Sequence, residues 1–332
     1  MRFFVIGGAG YIGSHFVLES LSQGHECLVY DNLSTGHRES LPKGVDFILG
    51  DIHDRELLKK NLRSFKPDAI YHYAAFALVG ESVEHPDKYY HNNVTGVATL
   101  CDAMKETGTL KPLIFSSSCA VFGNPQKLPI AEDDPKKPIS PYGRSKLMAE
   151  YIIEDYSKAF GWKAMALRYF NACGAHSSGK IGEDHTPETH LIPNIIKSVL
   201  SKKAFTLFGN DFPTKDGTCV RDYIHVTDLA ISHIEAAKYL STAKAETFSA
   251  LHLGTGTGYS NMDIIAEIES FLGKKIDYTI GKRRDGDADA LYADNRKVKK
   301  VLGFEPSHSD LRNIISTSMD WHKSHLNGFD GG

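Results

Sequence analysis

Residues 3–13 of the chain read FFVIGGAGYIG, an apolar run that leads into glycines at every third position. The unbroken run is typical of a strand covered on both faces, and a helical pattern of apolar residues begins at Tyr11. Glycines in such a strand-to-helix turn let the backbone approach a pyrophosphate, which the amino end of the helix attracts. The stretch therefore predicts the first unit of a nucleotide-binding α/β fold.

The alternation of apolar runs and helical patterns continues as far as residue 169. The runs predict strands at 27–30, 47–49, 69–71, 112–115 and 164–169, and the helical patterns predict helices at 54–64, 94–106 and 141–160. Strands that alternate with helices imply right-handed βαβ units and a parallel sheet. We therefore predict an α/β protein with a doubly wound parallel (Rossmann) sheet in residues 1–171. A smaller mixed α/β substrate domain is predicted in residues 172–332, with segments that can cross back and with helices at 194–200, 226–239 and 261–272.

The composition excludes several functional classes. Of the 332 residues, 41% are hydrophobic and 24% are charged, and a net charge of -3 argues against a nucleic-acid binder. No apolar run approaches the roughly 18 residues that a membrane span needs, and the first predicted strand starts too early to leave room for a signal peptide. The five scattered cysteines fit reduced thiols. We expect a cytoplasmic protein with neither a nucleic-acid nor a membrane partner.

Two aspartates follow the second and third predicted strands. The offset of Asp31 from the glycine turn is close to the roughly 20 residues that separate these features in dinucleotide-binding folds. A carboxylate at this place binds both ribose hydroxyls and repels a 2′-phosphate, which favours NAD over NADP. The alternative is a turn cap together with Asn32. Asp51 is predicted to accept a hydrogen bond from the adenine amino group, or else to be a turn residue.

Tyr142 and Lys146 lie four residues apart, on the same face of the helix predicted at 141–160. A tyrosine has a pKa of about 10 and is a poor base at neutral pH, but a neighbouring cation lowers that pKa. Ser118 follows the fifth predicted strand, and ligands of doubly wound sheets lie beyond the carboxyl ends of the strands. Together with the glycine turn and Asp31, these three side chains predict proton transfer beside a bound NAD.

Eight motifs are distributed along nearly the whole chain. They are GGAGYIGSH at 7–15, DNLS at 31–34, GDI at 50–52, VGES at 79–82, YYHNN at 89–93, SPYGRSK at 140–146, LRYFN at 167–171 and DGTCVRDYIHV at 216–226. In these motifs the chain resembles the extended short-chain dehydrogenase/reductase family, and within it the epimerases of UDP-sugars. The resemblance implies interconversion of UDP-galactose and UDP-glucose through a 4-keto sugar, with NAD bound tightly and regenerated in each turnover. It also implies a homodimer, for which residues 95–104 and 151–160 are candidate faces.

The resemblance assigns roles to individual residues. Tyr142 takes the proton of the sugar 4-hydroxyl, Lys146 binds the nicotinamide ribose and depresses the Tyr142 pKa, and Ser118 orients the hydroxyl. The implied cofactor-binding residues are Gly7, Gly10, Tyr11, Ile12, Gly13, Asp31, Asn32, Ser34, Thr35, Gly36, Asp51, Ile52, Tyr73, Ala74, Ala75, Ala77, Asn92, Tyr142, Lys146 and Phe170. The implied substrate-binding residues are Ser118, Tyr142, Asn171, His190, Leu191, Phe208, Arg221, Arg284 and Asp287. Both arginines suit phosphate oxygens, Phe208 is expected to stack on uracil, and Asp287 to hold the uridine ribose.

Three positions depart from the pattern of some relatives. Ala77 stands where those relatives have a cofactor-contacting lysine, so NAD is expected to be held less tightly. His190 stands where they have a uridine-binding asparagine, which leaves its role open. Leu291 replaces a tyrosine that narrows the sugar pocket, and because leucine is smaller we hypothesise that an N-acetyl group at C2 fits.

Other functions remain open at this point. One alternative is another NAD-dependent sugar-nucleotide epimerase, acting on a UDP-N-acetylhexosamine, a UDP-pentose or a UDP-uronate. A sugar-nucleotide dehydratase is less favoured because the stretch SCAV at 118–121 places no acid next to Ser118. A nucleotide-binding protein without turnover has no need of Tyr142, Lys146 and Ser118 together.

Histidines are concentrated in the loop predicted at 172–190. The spacings between His176, His185 and His190 are nine and five residues and match no compact metal-ligand motif. The sequence therefore predicts no metal site.

Overall fold

The structure, a computed structural model, describes residues 1–242, 247–284 and 286–329. Its first half contains β1 (Arg2–Ile6), α1 (Tyr11–Ser22), β2 (Glu26–Asp31), β3 (Asp46–Leu49), α2 (Arg55–Phe65), β4 (Ala69–His72), α3 (Val79–Glu84), α4 (Pro86–Tyr90), α5 (Gly96–Thr107), β5 (Leu113–Ser118), α6 (Pro141–Phe160) and β6 (Ala164–Tyr169). Short 3₁₀ turns lie at Arg38–Ser40 and Cys119–Phe122, and a π-helical turn at His91–Thr95 joins α4 to α5. Each predicted element of this half is present with its ends shifted by a few residues, whereas α3 and α4 were not predicted.

Seven parallel strands form the large sheet, in the order β11-β6-β5-β4-β1-β2-β3, with β11 at Phe248–Leu253. From β1 the chain moves outward through β2 and β3, and then outward on the other side through β4, β5 and β6. The direction of winding therefore reverses between β1 and β4, which is where doubly wound folds bind their ligands. The predicted α/β fold with a Rossmann-like sheet is confirmed.

Alternate residues of β1 divide the core of this sheet into two layers. Phe3 and Val5 are buried on one face, where the Phe3 ring lies 5.8 Å from that of Phe16 in α1. Phe4 and Ile6 are buried on the other face, in the cluster that includes side chains of α2 and α5. Because β1 is covered on both faces, its sequence is an unbroken apolar run. Among the residues that the structure describes, no helix is long and apolar enough to cross a membrane.

The second half holds shorter elements. They are β7 (Asn171–Cys173), α7 (Leu191–Ser201), β8 (Phe205–Phe208), β9 (Val220–Arg221), β10 (Tyr223–His225), α8 (Val226–Thr242), β11, β12 (Tyr259–Ser260), α9 (Asn261–Leu272), β13 (Tyr278–Gly281), β14 (Ala290–Leu291), α10 (Arg296–Leu302) and α11 (Leu311–Ser324). Three small sheets pair β10 with β7, β9 with β12 and β14, and β13 with β8. Isoleucines of α7, α9 and α11 form a separate core within this half.

The chain crosses back from the second half into the first. Helix α8 packs on α1, and β11 adds a seventh strand beside β6. The sequence pattern does not predict β11 because Ser249 and His252 interrupt its apolar residues. His252 is nevertheless buried, with its Nδ1 3.0 Å from the carbonyl oxygen of Ile130, whereas its Nε2 has no hydrogen-bond partner. The division at residues 171 and 172 stays a prediction.

Candidate active site

A cleft runs along the carboxyl ends of β1, β2, β4, β5 and β6, across the point where the winding reverses. Its open space, counted together with the solvent at its mouth, is about 1110 Å³. The predicted site residues that line it are Gly7, Gly10, Tyr11, Ile12, Gly13, Asp31, Asn32, Ser34, Thr35, Ile52, Tyr73, Ala74, Ala75, Ala77, Asn92, Tyr142, Lys146 and His190. Most of the predicted cofactor set therefore surrounds one continuous space.

The glycine turn leaves no room for side chains where the backbone segments meet. A Cβ atom on Gly13 would lie 2.3 Å from the carbonyl oxygen of Gly7, and one on Gly7, where φ is +77°, would lie 2.3 Å from the amide nitrogen of Ala74. Gly10 differs, because a Cβ atom there would have its nearest protein neighbour at 3.6 Å. Gly10 lines the cleft just before α1 and has no side chain that could cap the helix. The first amides of α1 therefore stay free to donate hydrogen bonds to a pyrophosphate.

Asp31 ties the glycine turn to the end of β2. Its buried carboxylate accepts hydrogen bonds from the amides of Ala9 (2.9 Å) and Leu33 (2.8 Å). Burial raises the carboxyl pKa, and the two amides oppose that rise. An ionised carboxylate has about four acceptor positions, so oxygen lone pairs remain for ribose hydroxyls on the cleft wall. The Asp31 carboxylate therefore has a role in the turn, and its binding of the NAD ribose stays a prediction.

Three predicted cofactor residues do not line the cleft. Gly36 packs against the glycine turn, where an added Cβ atom would lie 2.7 Å from the carbonyl carbon of Ala9. The Asp51 carboxylate accepts from the side chain of Asn32 at 2.8 Å and from the amide of His53 at 2.9 Å. Phe170 belongs to a buried cluster next to the cleft. Direct contact of these three residues with NAD stays a prediction.

The amino end of α6 places Tyr142 at the carboxyl end of β5. The helix begins at Pro141, after Ser140 accepts a capping hydrogen bond from the amide of Gly143 at 3.2 Å. A Cβ atom on Gly143 would lie 2.4 Å from the carbonyl oxygen of Ala120, so glycine lets α6 approach the turn that follows Ser118. Burial raises the pKa of Tyr142 to about 12, and its hydrogen bond with Ser118 opposes that rise.

Lys146 lies one turn further along α6 and also lines the cleft. Its Nζ donates to the carbonyl oxygen of Ser116 at 2.7 Å, and it lies 4.9 Å from the ring centre of Phe115. Burial lowers the pKa of Lys146 to about 7, while Glu150 opposes the change. The expectation that Lys146 depresses the Tyr142 pKa is therefore not met by the protein alone. Lys146 is buried and Tyr142 is half-buried, and the ammonium is directed to a backbone carbonyl.

Two polar networks that sequence patterns did not reveal hold this helix in place. Glu150 is buried on α6, where it accepts from Ser117 Oγ at 2.5 Å and from both Nε and Nη2 of Arg168 at 2.9 and 2.7 Å. Asn93 in the π-helical turn donates to Ser145 Oγ at 3.0 Å and exchanges two hydrogen bonds with the backbone of Phe76. These bonds fix α6 against β5, β6 and the segment after β4.

Three of the predicted substrate residues form a second group beside the cleft. Phe208, Arg284 and Asp287 lie together, with the Arg284 guanidinium 5.4 Å from the Phe208 ring centre and 3.1 Å from the Asp287 carboxylate. Arg284 also donates to the carbonyl oxygen of Thr189 at 3.3 Å, next to His190. The predicted substrate residues outside the cleft lining are Ser118, Asn171, Leu191, Phe208, Arg221, Arg284 and Asp287. Their contact with a substrate stays a prediction.

Several cleft residues were missed by the sequence analysis. They are Ile6, Tyr30, Gly50, Phe76, Ser116, Tyr169, Ala172 and His185. Most of these residues immediately precede or follow a predicted site residue at a strand end. The predicted strand ends were therefore the signal that could have identified them. His185 had no such signal, because it comes from the long loop that the fold brings over α1, where its ring centre lies 6.1 Å from that of Tyr11.

Comparison with known proteins agrees with this geometry. The family described as the NAD dependent epimerase/dehydratase family matches residues 3–250. A curated UDP-glucose 4-epimerase from Lactobacillus helveticus is 51% identical, over 99% of both chains. Among solved structures, a UDP-glucose 4-epimerase from Brucella ovis in complex with NAD is 46% identical with a TM-score of 0.90, covering 96% of this chain and 97% of that one. Another, from Bifidobacterium longum in complex with NAD+ and UDP, is 36% identical with a TM-score of 0.93, covering 99% and 100%.

Proposed function

Because the chain belongs to the NAD dependent epimerase/dehydratase family, we propose that it interconverts UDP-galactose and UDP-glucose by epimerisation at C4, with NAD as cofactor. The observation that carries this proposal is the convergence of the glycine turn, Asp31, Tyr142 and Lys146 on one cleft. They do so in a chain 51% identical over its length to a UDP-glucose 4-epimerase. The relative from Bifidobacterium longum holds NAD+ and UDP, which are the cofactor and the nucleotide part of the proposed substrate.

The protein offers matching groups for NAD. The free amides at the start of α1 would hold the pyrophosphate over Gly10, and the Asp31 carboxylate would bind the adenosine ribose. Lys146 would bind the nicotinamide ribose from the opposite wall. When bound, NAD supplies the acceptor and donor of hydride at the sugar C4 and, when oxidised, a positive charge near the phenol.

Tyr142 is the proposed acid and base. With a pKa of about 12, its phenol keeps its proton at neutral pH in the protein alone. A positive charge beside the phenol stabilises the phenolate and lowers this pKa toward the range useful for catalysis. The phenolate then takes the proton of the sugar 4-hydroxyl. It returns this proton to the oxygen of the 4-keto sugar after the sugar has rotated in the site. Ser118 shares the hydrogen bond and orients the reacting oxygen.

The uridine diphosphate is assigned to the predicted substrate residues outside the cleft lining. Arg284 and Arg221 would bind diphosphate oxygens, for which guanidinium groups are well suited. The Phe208 ring is 42% exposed beside Arg284, which leaves a face for uracil, and Asp287 would hold the uridine ribose. Asn171 and Leu191 at the start of the neighbouring elements complete this part of the proposed site.

The protein is further proposed to be a cytoplasmic homodimer. Met148 and Tyr151 are 44% and 54% exposed on α6, which packs on α5, and such apolar exposure on adjacent helices suits a helix–helix interface. The five cysteines are buried and free, as expected of a reducing compartment. Light scattering coupled to gel filtration tests the dimer, and a mass of about 37 kDa, that of one chain, would contradict it.

One assay tests the proposed reaction. Purified protein is incubated with UDP-galactose, once without added NAD and once with it, and UDP-glucose is measured by chromatography. Product in both reactions supports the function together with retained cofactor. Product only with added NAD supports the function and indicates the weaker retention expected from Ala77. Consumption of UDP-galactose to a 4-keto-6-deoxy sugar would indicate dehydration instead, although Asp31 is the sole carboxylate among the described residues that line the cleft.

A further inference from the structure

Four potential metal ligands converge in the loop that precedes α7. Glu183, His185, Glu188 and His190 each contribute one ligand atom, and all four atoms lie within 4.8 Å of one another. The sequence spacings involve only histidines and place His185 and His190 with His176. In the structure His176 lies apart and pairs with Glu19 at 3.4 Å, while two carboxylates complete the group.

The backbone that carries these ligands is held by distant parts of the fold. Trp321 of α11 donates from Nε1 to the carbonyl oxygen of Glu183 at 3.1 Å. Gly182 lies so close to the same indole that a Cβ atom would be 2.3 Å from the ring. At the start of the loop, Tyr11 Oη donates to the carbonyl oxygen of Gly174 at 2.6 Å. The ligands are therefore positioned by the tertiary structure, as a preformed metal site requires.

The group contains buried polar atoms without hydrogen-bond partners. The Glu188 side chain is only 6% exposed, and its Oε2 has no hydrogen-bond partner; the Lys197 ammonium is 3.9 Å away. His185 Nδ1 is also buried without a hydrogen bond and lies 3.2 Å from Glu183 Oε1. His190 Nδ1 is in close contact with the same Glu183 oxygen. Unsatisfied buried acceptors are costly, and a cation between these atoms would satisfy them.

We infer that Glu183, His185, Glu188 and His190 form a binding site for one divalent transition-metal ion, with Zn²⁺ as the best match. Two imidazoles and two carboxylates supply the four-ligand nitrogen and oxygen set that Zn²⁺ accepts in tetrahedral sites. Mg²⁺ and Ca²⁺ prefer sites made of oxygen atoms only. The two carboxylates also balance the charge of a divalent ion when both imidazoles are neutral.

The ion would fasten this loop at the edge of the cleft. His185 and His190 belong to the cleft lining, and the carbonyl oxygen of Thr189 accepts a hydrogen bond from Arg284. A bound ion would therefore fix the loop next to the residues assigned to uridine diphosphate. The inference concerns metal binding and does not depend on the proposed epimerase reaction.

Equilibrium dialysis of the untagged protein against zinc sulfate, with metal analysis by mass spectrometry, tests the site. The wild-type chain should bind about one Zn²⁺, and saturation should raise the melting temperature. Glu188→Gln and His185→Ala should each weaken zinc binding at least about tenfold. His176→Ala is the matched control, because this histidine lies in the same loop outside the cluster, and it should bind zinc as the wild type does.

Two results would overturn the inference. One is the absence of bound zinc from folded wild-type protein at micromolar free zinc, which would leave the four groups as ion pairs between histidine and glutamate. The other is equal zinc affinity in the wild type and in a folded Glu188→Gln variant. If Glu188→Gln or His185→Ala fails to fold, Glu183→Gln serves in its place, and the wild-type stoichiometry decides the question in any case.

Discussion

The two sides of the proposed active site are built differently. The nucleotide side consists of the glycine turn, Asp31 and Ala74, which lie at the ends of the neighbouring strands β1, β2 and β4 and are small or buried. The proposed sugar side consists of His190, which lines the cleft, and of Phe208, Arg221, Arg284 and Asp287, which lie outside its lining; these residues come from separate loops and short strands. The side chains of His190 and Arg284 are 45% and 46% exposed, whereas Asp31 is 8% exposed. Backbone contacts thus dominate one side, and adaptable long side chains dominate the other.

This difference predicts different consequences of substitution. A change on the nucleotide side should disturb packing and cofactor binding together, because the same atoms serve both. A change on the sugar side should alter substrate affinity or selectivity with little effect on stability. A substitution of Tyr142, where the two sides meet, should affect turnover alone.

The largest effect is expected for Tyr142→Phe. Removing the phenol oxygen removes the proposed acid and base, so turnover of UDP-galactose should fall about 10²- to 10⁴-fold. NAD content and melting temperature should stay close to those of the wild type, because the ring remains. Tyr151→Phe is the control on the same helix, where the side chain is exposed and should be replaceable. Near-wild-type turnover in Tyr142→Phe would defeat the proposed mechanism.

Gly13→Ala should lower both the stability of the protein and its affinity for NAD. The added methyl group would lie 2.3 Å from the carbonyl oxygen of Gly7 and would force the turn apart. We expect a loss of stability of about 1–3 kcal/mol, as for overpacked sites, together with at least a tenfold loss of NAD affinity. Thermal unfolding and NAD titration measure the two effects. Gly80→Ala, at a position with no atom within 4 Å of the added methyl, should change neither.

Lys146→Met should weaken NAD binding without lowering the stability of the protein. Burial lowers the Lys146 pKa to about 7 in the folded protein, below that of an unfolded chain. The folded state therefore loses this proton as pH rises through 7, and the cost of burying the ammonium is largest below pH 7. The variant should be at least as stable as the wild type at pH 6, yet bind NAD about tenfold more weakly if one charged hydrogen bond to the ribose is lost. Unchanged NAD affinity would contradict the assigned role.

Arg284→Ala should affect the sugar side alone. Loss of a charged hydrogen bond to a diphosphate oxygen is expected to raise the KM for UDP-galactose about tenfold, with a smaller change in kcat. Steady-state kinetics and thermal unfolding measure the effects, and the melting temperature should stay unchanged. Arg283→Ala is the neighbouring control, because that guanidinium pairs with Asp289 and lies 3.8 Å from the ring centre of Phe212. Equal KM changes in both variants would remove the assignment of Arg284.

The smallest effect on the main reaction is expected for Leu291→Tyr. Leu291 is buried in β14, whose register pairs it with Arg221 of β9. A larger side chain should narrow the sugar pocket, so that turnover of UDP-N-acetylglucosamine or UDP-N-acetylgalactosamine falls about tenfold while UDP-galactose turnover changes little. The comparison of the three substrates in both proteins is the measurement. Failure of wild-type protein to convert either N-acetylated substrate would remove the hypothesis.

Prediction from the sequence succeeded to different extents for the nucleotide side and the sugar side. Strands β1 to β6 and helices α1, α2, α5 and α6 were predictable because each depends on local periodicity and on glycine or proline at its ends, whereas the short helices α3 and α4 were not predicted. Strand β11 was not, since Ser249 and His252 hide its apolar pattern and its partner β6 is about 80 residues away in sequence. The sugar-side residues were assigned only through resemblance, because Phe208, Arg221 and Arg284 share no local pattern that points to a common site.

The sequence by itself determined the nucleotide-binding unit, because strand, glycine turn, helix and Asp31 lie within one short segment whose geometry follows from local sterics. It also placed Tyr142 and Lys146 on one face of a helix. Only the tertiary structure decided what surrounds them: burial raises the pKa of Tyr142 to about 12 and lowers that of Lys146 to about 7. The convergence of Glu183, His185 and their partners likewise depends on how Trp321 and Tyr11 hold the loop. Burial and long-range contact are properties of the folded chain, and no local pattern encodes them.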